Sequence, residues 1–387
     1  MLEFGVDEIT LVMQLDKNQK SVLATADWEE VAEGLIYTFE KKADLLTIYG
    51  DKKIQKNLPK GYSVGYGYGE HPFYFCVAYH QYHWDMGIAV KFSAQALDYY
   101  SEETGLNVYQ FMQKVEDKDY TIRLSRIDLT ADYIDEDINV TEIYNSMMHD
   151  EIGTFREYIS KKTGDIGYKR VPMMYEGFLK EKEVPTIYVG SVQSNSRLRI
   201  YDKRREQIER KGTKFDKAVG CKNWVRFEGV FRHDYAHQIS DQLLNIQTDN
   251  EYMNLIASTL VQKYRFMTID KKTGGADADT DYTQMILDAI SNNSFKLKAP
   301  SSRNYDLAQN IAYIFSGSGV MSTLYKISDI WDMEAVMYLL EYIIEDLQGE
   351  FRPNADCLSW LIRNRKDFQK KYPDFDVFMQ QNVSCML

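Results

Sequence analysis

Three runs of the sequence carry polar or charged side chains at every second residue, the spacing that puts them on one face of a β-strand. In Arg126-Ile127-Asp128-Leu129-Thr130-Ala131-Asp132, the residues Arg126, Asp128, Thr130 and Asp132 share a face, and the apolar residues take the other. In Arg197-Leu198-Arg199-Ile200-Tyr201-Asp202-Lys203, one face holds Arg197, Arg199, Tyr201 and Lys203, opposite Leu198 and Ile200. In Trp224-Val225-Arg226-Phe227-Glu228, Arg226 and Glu228 oppose Val225 and Phe227. As neighbours in one sheet, these strands would gather carboxylates, arginines and a tyrosine on one side. That set has the parts of phosphodiester transesterification. Carboxylate oxygens are hard ligands for a divalent cation such as Mg²⁺ or Mn²⁺, which polarises a phosphate. Guanidinium forks match non-bridging oxygens, and a phenol can attack phosphorus to leave a covalent intermediate. Cross-strand ion pairs that merely hold a sheet use the same residues, so periodicity alone leaves both readings open.

Other candidate groups read as ordinary structure. His80 and His83 are three apart, so on one strand they would fall on opposite faces and could not chelate one ion. The glycine-rich run 61–69 lacks the lysine and Ser/Thr of a phosphate loop and reads as a turn flanked by aromatic strand residues. His233 and His237 lack the glutamate that a zincin motif places after its first histidine, and are structural or at most DNA contacts.

The elements that must position the charged faces follow from periodicity and caps. Residues 4–15 read as an opening strand, and Asp27 caps a helix over 28–42 with Leu35, Ile36 and Phe39 on its apolar side. Strand-like pieces follow at 62–68, 73–82 and 87–92. Ser93 starts a helical stretch that 108–115 continues. The strongest strand of the first half is 120–133, and Thr141 is expected to cap a helix running to residue 159. Three more strands are expected at 186–189, 197–203 and 224–232. Strands and helices interleave without a regular βαβ period, which favours an α+β fold with a mostly antiparallel central sheet and flanking helices. Beyond about residue 233 the pattern turns helical, at 239–246, 253–266, 306–315, 331–347 and 358–372, with a mobile loop expected over 271–281. The expected division is therefore a catalytic part over 1–240 and a helical C-terminal region over 241–387.

Composition limits the function classes. A net charge of −12 points away from a polyanionic partner. Against it, the run 197–214 carries eight bases and three acids, which a solvated helix face would equally explain. The 29 tyrosines are mostly packing residues, yet they also supply platforms for unpaired bases. No stretch approaches the roughly 18 apolar residues of a membrane span, and the longest candidate, 335–344, is broken by Glu341. The opening MLEFGVDEIT carries acids where a secretory signal carries bases. Cys76, Cys221, Cys357 and Cys385 lie far apart without a CxxC pair, against both a zinc site and a disulfide framework. The expectation is a soluble cytoplasmic protein without membrane contact.

The run from Thr186-Ile187-Tyr188-Val189-Gly190-Ser191 through Ser194 to Arg199-Ile200-Tyr201-Asp202-Lys203 resembles the signature of the replication initiation factor family. Further similarity lies at Met86-Gly87-Ile88 through Ser93, at Arg126-Ile127-Asp128 with Asp132, and at Arg226-Phe227-Glu228 followed by Arg232 and Ala236. The pieces occur in the family's order across roughly residues 4–240. The family contains rolling-circle plasmid initiators, phage replication proteins and relaxases of integrative conjugative elements. The resemblance implies a five-stranded antiparallel catalytic sheet like that of the HUH nucleases. It also implies a tyrosine that cleaves one strand of single-stranded or melted origin DNA and stays joined to the 5′ phosphate. On that resemblance Tyr201 is the nucleophile and Tyr188 its competitor. Asp128 and Glu228, with Asp132 as a third, would hold Mg²⁺ or Mn²⁺. Arg126, Arg199, Lys203, Arg226, Ser191 and Ser194 would contact DNA. A host helicase is the implied partner, a homodimer is an open question, and the region after 240 would select the origin or bind other proteins. The sequence departs from the family at Val192-Gln193, where a basic residue is common.

Overall fold

The computed structural model describes residues 1–15, 27–69, 74–160, 164–180, 182–290, 295–298, 307–353 and 355–383. Phe73, Asp306 and Cys385, which the expectations above include, lie outside them. Fourteen strands occur among the described residues. They are β1 (Leu2–Leu15), β2 (Lys52–Ile54), β3 (Val64–Tyr68), β4 (Phe75–Tyr79), β5 (Ile88–Phe92), β6 (Tyr120–Ile134), β7 (Ile152–Ile159) and β8 (Ile166–Arg170). The rest are β9 (Tyr175–Lys180), β10 (Glu183–Val189), β11 (Ser196–Asp202), β12 (Trp224–Arg232), β13 (Arg265–Ile269) and β14 (Ala276–Asp279).

Ten strands form one antiparallel sheet in the order β2-β3-β4-β5-β1-β6-β12-β11-β10-β9, and four form a second, β14-β13-β7-β8. The α+β class and the antiparallel platform are as expected. The main sheet is larger than the five strands the resemblance implied, because β1 and β6, of 14 and 15 residues, form a long central ladder with hairpins added on both sides. The apolar face of β6, β12 and β11 presents Ile127, Leu129, Ala131, Phe227, Leu198 and Ile200, all buried. Helices Asp234–Leu243 and Asp249–Lys263 pack on β6. The second of these opens with a capping box between Thr248 and Glu251. Gly229 on β12 lets it come close, since a Cβ there would lie 2.8 Å from Leu260.

Two expectations need correcting. The helix expected over 141–159 ends early. Asn139, rather than Thr141, caps a helix Val140–Met148 by accepting from the amides of Thr141 and Glu142. Asp150 then adopts a left-handed conformation with φ of 57°, and β7 starts at Ile152. Its Ile-Gly-Thr-Phe opening suits a strand better than a helix, which glycine disfavours. The expected mobile loop at 271–281 is the β13–β14 hairpin. The Asp270 carboxylate accepts from the amides of Lys272 and Thr273 at 2.7 and 3.2 Å, closing the turn.

The chain divides into two compact units, Met1–Lys298 and Ala299–Leu387. The first extends past residue 240 because the two helices on β6 and the strands β13 and β14 belong to it. The second contains helices Leu307–Ser316, Val320–Ile330, Met333–Gly349, Ala355–Lys371 and Phe375–Asn382, with a small core of Ala308, Phe378 and Val383. Among the described residues no helix is long and apolar enough to cross a membrane.

Candidate active site

Strand register decides which of the expected residues meet. Tyr201 on β11 pairs with Arg226 on β12, which pairs with Asp132 on β6. One pleat further, Arg199 pairs with Glu228 and Glu228 with Thr130. On the far side of β6, Val6 pairs with Leu129 and Ile9 with Ile127, so Asp7 and Glu8 together oppose the single residue Asp128. This β-bulge turns two consecutive acids of β1 to the charged face, a device that recurs beside active sites. Asp7 and Glu8 were missed in the sequence, although two adjacent acids inside an alternating strand are the signal of such a bulge.

The face is a lattice of charge-assisted hydrogen bonds. Arg126 holds both oxygens of Asp128, at 2.9 and 2.6 Å, and donates to Glu8 at 2.7 Å. Arg226, 3% exposed, holds both oxygens of Asp132 at 2.7 Å and donates to Asp7 as well. Arg199 donates to Glu228 Oε2 at 2.6 Å, and the Tyr201 hydroxyl donates to the same oxygen at 3.1 Å. Strand β11 ends at Asp202, whose carboxylate caps the helix Lys203–Arg210. Lys203 therefore sits in a first helical turn, with Nζ 3.3 Å from the Tyr201 hydroxyl and 2.6 Å from Glu206. The Arg199 guanidinium lies over the Tyr201 ring, 4.5 Å from its centroid. A cleft of about 380 Å³ opens here, lined by Asp7, Glu8, Arg199, Lys203, Glu206 and Arg210.

Burial and the neighbouring acids set the proton affinities. Burial and then Glu228 push the Tyr201 phenol well above its ordinary range, with Arg226 pulling the other way. Burial, with Asp7 beside it, raises Glu228 despite Arg199. Burial likewise lifts Asp128 to about 7, outweighing Arg126. Asp7 is also buried, but Arg226, Lys203 and Arg199 together hold it below the usual carboxylate range. Neighbouring acids pushed in opposite directions are a pattern of acid–base sites. Glu228 is thus the better proton acceptor, and it already touches the phenol.

In donor chemistry the face fits a hard divalent cation. Asp128 and Glu228 are buried carboxylates on adjacent strands; Glu228 Oε1 takes no part in the bonds to Arg199 and Tyr201, whereas both oxygens of Asp128 are held by Arg126. Asp132 gives both oxygens to Arg226. Among the described residues no three histidine, cysteine or acidic side chains converge as a ready-made centre.

Other expected residues lie elsewhere. Ser191 and Ser194 sit in the β10–β11 turn, where their hydroxyls accept from the amides of Gln193 and Ser196. From Ser196 to Tyr201 is five strand steps, about 17 Å. Tyr188 shares the polar face, half-buried beneath the Arg197 guanidinium at 4.2 Å and against Phe178. Much of the basic run 197–214 is neutralised from outside it: Arg197 pairs with Glu176, Arg205 with Glu183, and Lys214 with Asp98. His80 and His83 lie beyond the end of β4, which stops at Tyr79 rather than residue 82. Their rings meet at 4.4 Å, and His80 Nδ1 accepts from the amides of Tyr82 and His83, a turn-closing role.

The family model described as replication initiation factor matches residues 122–343. Among solved structures, the chain is similar to a rolling circle replication initiator protein from Geobacillus stearothermophilus, with a TM-score of 0.49 and 18% identity over 75% of this chain and 97% of that one. Among curated proteins nothing matches.

Proposed function

This chain belongs to the replication initiation factor family, and from that premise we propose that it nicks and rejoins one strand of origin DNA with Tyr201 as nucleophile. The observation that carries the reading is the Tyr201 hydroxyl, held between the Glu228 carboxylate and the cations Lys203 and Arg199. Tyr201 Oη attacks the scissile phosphorus as its proton passes to Glu228. The Oη–P bond forms, the P–O3′ bond breaks, and the 3′ oxygen leaves as a hydroxyl, taking from water a proton that the protonated Glu228 then restores to the water. Rejoining reverses this: the 3′ hydroxyl attacks the phosphotyrosine and passes its proton through water to Glu228, from which Tyr201 recovers it. Arg199 and Lys203 offset the charge that grows on the phosphate oxygens. Mg²⁺ or Mn²⁺ held by Glu228 and by Asp128, once Arg126 releases it, would supply Lewis-acid polarisation of the phosphate, and Asp132 would join as a third ligand only by releasing Arg226. Arg126 and Arg226 would reach DNA by exchanging a carboxylate for a phosphate, while Ser191 and Ser194 would touch the strand farther along β11. Unwinding must follow a nick, so a helicase would be the partner, and the region after residue 240 would contribute origin choice.

Tyr201 is only 4% exposed, which favours a second reading, a DNA-binding regulator that does not cut. The test incubates wild type, Tyr201→Phe and Tyr188→Phe with supercoiled origin plasmid and Mn²⁺, and scores nicking and a denaturant-resistant protein–DNA adduct. We expect the adduct to be lost in Tyr201→Phe and kept in Tyr188→Phe. The reverse pattern would move the nucleophile to Tyr188. Origin binding by a folded wild type without any adduct would establish the regulator.

A further inference from the structure

The second sheet carries a charged face that the chemistry above does not use. In the β7–β8 hairpin Arg156 lies directly opposite Lys169, and Tyr158 directly opposite Gly167. Like charges in register across a ladder oppose pairing. Both cations are exposed, and among the described residues neither side chain has an ion pair or hydrogen bond. The opposite face of the same hairpin is neutralised. There Arg170 pairs with Asp150, while Arg265 pairs with Asp279 at 2.5 Å and Glu157 at 3.4 Å and lies over the Tyr168 ring. Charge is therefore left uncompensated on one side only.

The aromatic residue on that side is held for contact. The Tyr158 ring lies across Gly167: a Cβ at Gly167 would fall 2.7 to 2.9 Å from Tyr158 ring atoms and hydroxyl. The tyrosine nevertheless stays 51% exposed. A ring seated on bare backbone, with a cation on each strand beside it, is the combination that binds unpaired nucleotides. Bases stack on the ring whatever their identity, and the cations take the backbone. We propose that this face of the β7–β8 hairpin is a second DNA contact, at which a base of a single strand stacks on Tyr158 while Arg156 and Lys169 hold its flanking phosphates. The proposal rests on the reading of the protein as one that binds DNA. It selects single-stranded over duplex DNA because a duplex keeps its base faces stacked on one another.

The test is equilibrium binding of the full chain to a labelled oligodeoxythymidylate, and to its duplex with oligodeoxyadenylate, across a range of KCl. Each phosphate contact on a single strand contributes about 0.7 to the slope of log affinity against log salt. The double variant Arg156→Gln/Lys169→Gln should therefore flatten that slope by about 1.4. Tyr158→Ala should weaken single-strand binding roughly five- to a hundredfold and leave the duplex largely unaffected. Gly167→Ala keeps every charge but pushes the exposed ring aside, and should weaken binding in the same direction. Wild-type affinity and slope in these variants would overturn the contact, and equal losses on duplex and single strand would overturn its single-strand character. An adduct-forming wild type with normally binding variants sinks only this inference. Losses in the variants without any wild-type adduct sink only the nicking reading.

Discussion

On the face of β6, β12 and β11, Arg126, Arg199 and Arg226 each meet a carboxylate; on one face of the β7–β8 hairpin, Arg156 and Lys169 meet none. The residue types are similar and the surroundings are opposite. A buried guanidinium without a partner costs several kcal/mol, so the main sheet can keep the buried Arg226 only by setting acids against it, while Arg126 and Arg199 are half-buried beside it. An exposed cation is solvated, and its field is screened within about 10 Å at ordinary salt, so the hairpin can leave charge unpaired. The difference bears on binding. A phosphate entering the main site must compete with carboxylates already in place, whereas a phosphate at the hairpin displaces only water and counterions.

The comparison breaks first at Arg226. Arg226→Met should cost about 3–5 kcal/mol by stranding Asp132 and Asp7 in the interior, measured as a lowered urea midpoint. An unchanged midpoint would mean that the lattice is not what holds the face together. Next in size, Glu228→Gln keeps the shape but removes the proton acceptor and with it an anionic ligand for the cation, and should slow adduct formation by at least about 10²–10⁴ in rapid-quench kinetics. A near-normal rate would place the base elsewhere. Smallest is Arg156→Gln, which should leave the unfolding free energy from urea titration within about 0.5 kcal/mol of wild type, on the stabilising side because it relieves Lys169. A clear loss of stability there would show that the hairpin cation has a structural partner after all.

The period of two was enough to read Arg126, Asp128 and Asp132 onto one face of β6, and Arg199 with Tyr201 onto one face of β11. It also placed Arg226 beside Glu228 on β12. Asp27 and Ser93 were legible as helix caps because a short acceptor precedes an apolar helical pattern. Register was not legible. Nothing local states that Arg226 faces Asp132 rather than Asp128, since that depends on how strands distant in sequence align. Asp7 and Glu8 escaped because a bulge breaks the alternation on which the reading relied. The span 152–159 was read as helix because the capped turn before it is helical and the strand lacks clean alternation, so the hairpin that bears Tyr158 stayed hidden.

The bulge in β1 also makes chain length a determinant of charge at the site. Substituting Asp7 or Glu8 changes one side chain, but deleting either one leaves a single residue opposite Asp128, where two now stand. The ladder can then close without this bulge, keeping only the shift between Thr10 and Leu11, and the face loses one acid while every other residue of the lattice is retained. Insertions or deletions of a single codon here, usually the most damaging changes a strand can suffer, would act as a fine adjustment of how many carboxylates the arginines must share.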